Sequence, residues 1–127
     1  MNVPRALIAG VAAAAIAGCS AMQQPEVERV AVDFATGDPA TRCALLAPAT
    51  LSAIENDEAA ECAAVVAELA PPGGTVQDIE VWGDEAQVRL ADDDTLFLTR
   101  TGAGWKVVAA GCTPNGEAPY ECRVEGP

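Results

Sequence analysis

The hydrophobic and polar positions change period once along the chain, near Pro71-Pro72-Gly73-Gly74. Before that break they follow the 3.6-residue repeat of helices, and after it the two-residue repeat of strands. Val27, Val30, Ala31 and Phe34 fall at i, i+3, i+4 and i+7, which predicts an amphipathic helix opening at Pro25 and ended by Gly37. Asp38-Pro39 reads as a helix cap with a first-turn proline, opening a second helix through Cys43, Leu45 and Leu46 until Pro48 interrupts it. A short stretch with Leu51 and Ile54 follows. A third helix is then expected from about Asp57 to Leu69, with Cys62, Val65, Val66 and Leu69 facing inward.

Beyond Gly74 the pattern predicts strands over residues 76–82, 86–91, 95–101 and 105–110, separated by Gly83-Asp84, Asp92-Asp93-Asp94 and Gly102-Ala103-Gly104. Ala86, Val88 and Leu90 alternate with Gln87 and Arg89, so this strand has a core face and a wet face. Thr113-Pro114-Asn115-Gly116 reads as a turn before a last short strand over residues 120–124. Helices followed by an antiparallel meander of four or five strands define an α+β domain whose helices cover one face of a curved sheet. A length of 127 residues suits one such domain.

The first residues carry a different signal. Arg5 is followed by an apolar run over residues 6–17, too short for the roughly 20 residues that cross a bilayer. It reads as an export signal. Ile16-Ala17-Gly18-Cys19 resembles the lipobox of bacterial lipoprotein signal peptides. The resemblance implies cleavage between Gly18 and Cys19, a diacylglyceryl thioether on Cys19 and often a third acyl chain, such as palmitate, on the new amine. Residues 1–18 would then be a cleaved signal, residues 19–25 a lipidated polar tether with Gln23 and Gln24 in solvent, and residues 26–127 the folded domain. Two acyl chains suffice for lasting attachment where one is marginal. The expected address is the extracytoplasmic face of the cell membrane, with membrane lipid as a partner through Cys19.

With Cys19 assigned to lipid, Cys43, Cys62, Cys112 and Cys122 remain, an even count that reads as disulfides in an exported chain. Three pairings are open. Cys43 with Cys62 and Cys112 with Cys122 are favoured, because each closes a loop within one supersecondary unit. Four thiolates on zinc are the competing arrangement, but their spacing lacks the close paired cysteines of such sites.

Helices around Val27 to Phe34 with Gly37-Asp38 behind them, the hairpins, and Gly104-Trp105-Lys106-Val107-Val108 in a late strand together resemble nuclear-transport-factor-2-like (cystatin-like) domains of small bacterial lipoproteins, over residues 25–124. The resemblance implies a cone-shaped cavity between helices and sheet. It implies no particular activity, because this fold hosts isomerases, hydrolases, dimerisation modules and scaffolds.

Composition narrows the chemistry. Nineteen acidic against seven basic residues set the formal charge at −12, which repels nucleic acid, so none is expected as a partner. Histidine is absent, which removes imidazole as base, shuttle and metal ligand. No catalytic or metal residue and no cofactor are assigned. Asp33 and Tyr120 are the material for an isomerase- or hydrolase-type cavity, as base and oxyanion donor, although Asp33 is expected at a helix flank. Asp92-Asp93-Asp94 offers oxygens to calcium but reads first as a solvated turn. Glu55, Asp57, Glu58 and Glu61 read as an acidic helix N-terminus, or as a docking surface for a basic partner. Trp82 and Trp105 suit core packing or a ligand cavity. Arg89 and Arg100 suit an anion site, or cross-strand pairs with Glu80, Glu85 or an aspartate. The expectation that gathers these readings is a lipid-anchored, disulfide-bonded envelope protein that binds a protein partner or small ligand without catalysis. A cavity enzyme and an acidic docking regulator are the alternatives.

Overall fold

In a computed structural model, described over residues 11–57, 61–69 and 75–127, four helices precede five strands. The Pro71–Gly74 break and residues 1–10, where an export signal is expected to begin, lie outside the described residues. Helix α1 spans Val11–Thr36. It places Val27, Val30, Ala31 and Phe34 in the core, as their spacing requires. Its start departs from the expected Pro25. The stretch before Pro25 is rich in Ala, Met and Gln, good helix formers, and the helix runs on through the proline that was expected to open it. Residues 20–25, expected as a solvated tether, are therefore helical. Gln23 is half-buried, and its Oε1 accepts the Trp105 Nε1–H bond at 3.0 Å. No helix among the described residues is long and apolar enough to cross a membrane.

Gly37 stands where the chain turns: a Cβ there would lie 2.6 Å from the Asp33 carbonyl oxygen. Asp38 then caps α2 (Pro39–Ala44), its Oδ1 accepting the Thr41 N–H bond at 2.8 Å. Two expectations for the next stretch need correction. Pro48 does not interrupt structure but begins it, as the first residue of α3 (Pro48–Asp57), and so Leu51 and Ile54 belong to a helix. The expected helix from Asp57 to Leu69 is the short α4 (Cys62–Val66), with residues 58–60 outside the described part of the chain. Cys62, Val65, Val66 and Leu69 are nevertheless all buried.

Strands β1 (Val76–Trp82), β2 (Glu85–Leu90), β3 (Thr95–Thr101), β4 (Gly104–Asn115) and β5 (Ala118–Glu125) form one antiparallel meander in sequence order. The last hairpin is longer than expected. Pro114 sits inside β4, at a register shift between Thr113 and Asn115 and beyond the last β3 partner, Thr95 opposite Cys112. A proline costs no regular ladder bond at such a position. The turn therefore falls at Gly116-Glu117, with Gly116 at φ +60°. Ala86, Val88, Leu90, Leu96, Leu98, Trp105 and Val107 face the helices and are buried. The helix–sheet interface is filled by these side chains and by Val27, Phe34 and Val66.

Strand β4 is bonded on both edges. Beyond the end of β5, where Glu125 opposes Ala109, the segment after α2 takes over that edge. The Ala47 N–H donates to the Val107 carbonyl and the Val107 N–H donates to the Leu45 carbonyl, both at 2.8 Å. Thr50 of α3, fully buried, donates through Oγ1 to the Val108 carbonyl at 3.0 Å.

The structure joins Cys43 to Cys62 and Cys112 to Cys122. The first bond ties α2 to the start of α4. The second joins register partners on β4 and β5. With all four sulfurs paired, no zinc arrangement of these thiols arises.

Arg42, on α2, is the buried residue that pattern reading passes over. Its guanidinium lies 4.9 Å from the centre of the Phe34 ring, and Nη1 donates to the carbonyl of Val66, the last residue of α4, at 3.0 Å. One side chain thus holds three helices and satisfies a helix-end carbonyl. Its Nε and Asp94 Oδ1 are buried without hydrogen-bond partners among the described residues. Burial holds the Asp94 carboxyl above its ordinary 3.8, with Arg42 and the Thr95 N–H acting in the opposite direction. The exposed cap Asp38 is held below that value, chiefly by the Thr41 N–H.

Two outcomes follow for stability. Replacing Cys43 and Cys62 together by alanine releases a 19-residue separation and should cost about 3 kcal/mol in denaturant unfolding, because the constraint on the unfolded chain is lost. Asp94 keeps a proton in the fold that the unfolded chain has already released, so its contribution is present at acid pH and is lost as pH rises from 3.8 through the raised folded value. Asp38 acts oppositely, its contribution being lost as pH falls through its lowered value. In unfolding curves between about pH 3 and 6, Asp94→Asn should remove the first dependence, and Arg42→Leu should widen it toward higher pH by leaving the carboxylate without its cation.

Candidate functional site

The helices cover one side of the sheet over β2, β3 and β4 and leave much of the other face to solvent. Along β3 the core residues Leu96 and Leu98 bracket Phe97, which is therefore aimed at the open face. Tyr120 of β5 packs edge-on against it, ring centres 5.3 Å apart at 78°. Gln87 of β2 donates through Nε2 to the Tyr120 hydroxyl at 3.3 Å. Three strands thus contribute to one half-buried polar–aromatic cluster.

Around it lies a groove of about 610 Å³, within the ordinary size of small-molecule sites. Phe97, Tyr120, Val108, Ala109, Cys122 and Pro119 supply its apolar surface. Ala49 and Thr50 of α3, with Gly126 of the terminal segment, line it as well. They are placed there by the Thr50 bond and by the Gly126 N–H, which donates to the Val108 carbonyl at 2.9 Å. Glu85, Thr99 and Glu125 supply the polar positions. The Thr99 hydroxyl donates to Glu85 Oε1 at 2.9 Å and so fixes the orientation of that carboxylate. Neither Glu85 nor Glu125 takes part in the ion pairs found among the described residues, which engage Glu26, Asp33, Glu68 and Asp84 with Arg29, Arg123 and Arg100.

The residues singled out by sequence are mostly dispersed. Tyr120 lines the groove, but Asp33 is exposed on α1, on the other side of the sheet, 3.8 Å from Arg29 at i−4. The expected acid–phenol pair does not form. Trp105 is buried at 2% exposure and bonded to Gln23, while Trp82, at 55%, is exposed at the end of β1. Arg89 and Arg100 do not share an anion site. Arg89 is cross-strand to Thr95, so Arg100 lies five residues further along β3, roughly 16 Å away. Arg100 instead faces Asp84 at 4.0 Å, and Arg89 is the register partner of Asp78.

Asp92 and Asp93 sit in the β2–β3 turn with left-handed φ of 62° and 59°, exposed, while Asp94 is half-buried. The three carboxylates do not converge, and no metal-holding group of three or more His, Cys, Asp or Glu residues occurs among the described residues. The acidic stretch is divided by the true helix boundaries. Glu55 and Asp57 end α3, and Glu61 is the N-cap of α4 without a side-chain bond to it. Glu58 lies outside the described residues, as does the side chain of Cys19; the backbone of Gly18 and Cys19 belongs to α1.

Comparison with protein-family models, curated proteins and solved structures gave no match. Phe97, Thr99, Thr50 and Glu125 are among the groove residues that the sequence did not single out. The signal for Phe97 was present: a large aromatic at a wet-face position of an alternating strand, beside an open sheet.

A double-mutant cycle on Phe97→Ala and Tyr120→Ala should return a coupling of about 1 kcal/mol in urea unfolding, the ordinary worth of an edge-on aromatic pair. Tyr120→Phe, which removes only the bond to Gln87, should cost less than either truncation.

Proposed function

We propose that this protein is a lipid-anchored component of the cell envelope that presents a disulfide-bonded α+β domain for non-enzymatic binding, with the open-face groove as the binding site. The observation that carries the binding half is the distribution of space. The helix–sheet interior, where a nuclear-transport-factor-2-like cone would hold substrate, is filled with apolar side chains. The concavity lies instead on the opposite face, around Phe97 and Tyr120. An antiparallel meander behind N-terminal helices is compatible with that fold family.

The anchoring half rests on Ile16-Ala17-Gly18-Cys19 and on the two disulfides, which belong to an oxidising compartment outside the cytosol. The cavity-enzyme alternative loses its support because Asp33 and Tyr120 stand on opposite sides of the sheet. The acidic-docking alternative rests on surface charge alone, with no concavity to favour it over the groove.

Cells fed labelled palmitate should transfer it to the wild-type chain and not to Cys19→Ser, and the variant should leave the membrane fraction. Equal labelling of both chains, or retention of the variant in the membrane fraction, would remove the anchor from this proposal.

A further inference from the structure

We infer that the open-face groove selects organic cations: small ligands with an apolar or aromatic body bearing a protonated amine or quaternary ammonium. This rests on the groove being the binding site, and it deepens that reading by naming the ligand's chemistry.

Three observations converge on it. The groove's apolar surface is made by the Phe97–Tyr120 pair with Val108, Ala109, Pro119 and the Cys122 end of the disulfide, a surface that an uncharged, greasy body covers. A cation adds attraction to ring faces that an anion lacks. Two carboxylates, Glu85 and Glu125, belong to the same lining, which contains no lysine or arginine.

Neither carboxylate is spent elsewhere. The ion pairs among the described residues draw on Arg29, Arg100 and Arg123, Lys106 gives its ammonium to the Ala44 carbonyl at 3.2 Å, and Arg89, opposite Thr95 four residues along β2 from Glu85, lies outside the groove lining. Arg42 is buried behind the sheet, beneath Phe34. Glu85 is also oriented by the Thr99 hydroxyl before any ligand arrives, so less ordering is needed on binding. The chain's charge of −12 adds a field that draws cations in and turns anions away. The volume of about 610 Å³ sets the ligand as a small molecule.

Tyr120 is the only tyrosine in the chain, so the full-length protein grown with 3-fluorotyrosine gives one fluorine resonance, and it reports from inside the groove. Three probes share an aromatic body and differ in charge: phenethylammonium, 2-phenylethanol and 3-phenylpropionate. Phenethylammonium should shift the resonance saturably, binding about tenfold tighter than the alcohol, with no saturable response to the carboxylate. Raising salt should weaken the ammonium alone. Glu85→Gln and Glu125→Gln should each reduce the preference for the ammonium over the alcohol several-fold, and the double variant should abolish it. Glu28→Gln, exposed on α1 on the helix side of the sheet, should leave it unchanged.

Equal affinity for the ammonium and the alcohol, or tighter binding of the carboxylate, would overturn the cation assignment while leaving the groove as a binding site. Silence toward all three probes at millimolar concentration would overturn the assignment and the binding reading together. None of the groove residues belongs to the segment around Cys19, so a failure of lipid attachment would leave this test standing.

Discussion

A strand in the middle of a sheet must satisfy two rows of backbone donors and acceptors, and in this protein the strand that bears most of that demand is β4. One of its edges is taken by β3. The other is divided, with β5 bonded as far as Glu125 opposite Ala109 and the Leu45–Ala47 segment bonded at Val107. Buried backbone groups left unpaired would cost more than the bonds themselves return. The segment between α2 and α3 is therefore pinned to the sheet, and α3 begins where it does because of that attachment. The Thr50 hydroxyl and the Gly126 N–H complete the junction at the Val108 carbonyl.

The groove is a consequence of this junction. A flat antiparallel sheet with helices on one face has an open second face and no pocket. Here the start of α3 and the chain after β5 arrive at the edge of β4, while Tyr120 meets Phe97 and Gln87 across the open face. The Cys112–Cys122 bond holds β5 to β4 at the row just beyond this contact. Packing on the helix side is independent of it. That side is organised around Phe34 and Trp105, and around Arg42, whose guanidinium reaches one aromatic ring and one helix end at the same time.

The charged residues divide between the two faces in a way that suits this arrangement. Arg42 is buried on the helix side and Asp94 half-buried near it, where desolvation is the largest influence on each. The open face carries Glu85 and Glu125 beside aromatic rings, neither of them in an ion pair found among the described residues. A chain with nineteen acidic and seven basic residues has more carboxylates than its cations can pair. The groove concentrates two of these next to apolar surface.

The one-dimensional pattern was enough for the class of fold, the strand alternation and the core face of α1, because a periodicity of 3.6 or 2 is set by local backbone geometry and survives any tertiary arrangement. It was enough for the loop-wise choice of cysteine partners too, since short separations keep each pair within one supersecondary unit. Helix ends were not legible. Pro25 and Pro48 were each read as boundaries of the wrong kind, since a proline's effect depends on whether its neighbours and their tertiary contacts sustain the helix around it. Only the tertiary structure decided that Arg42 is inside, that Asp33 and Tyr120 are apart, and that Phe97, Thr99, Tyr120, Thr50 and Glu125 share one concavity. Those relations join residues tens of positions apart, through backbone bonds of β4 whose partners no local repeat can specify.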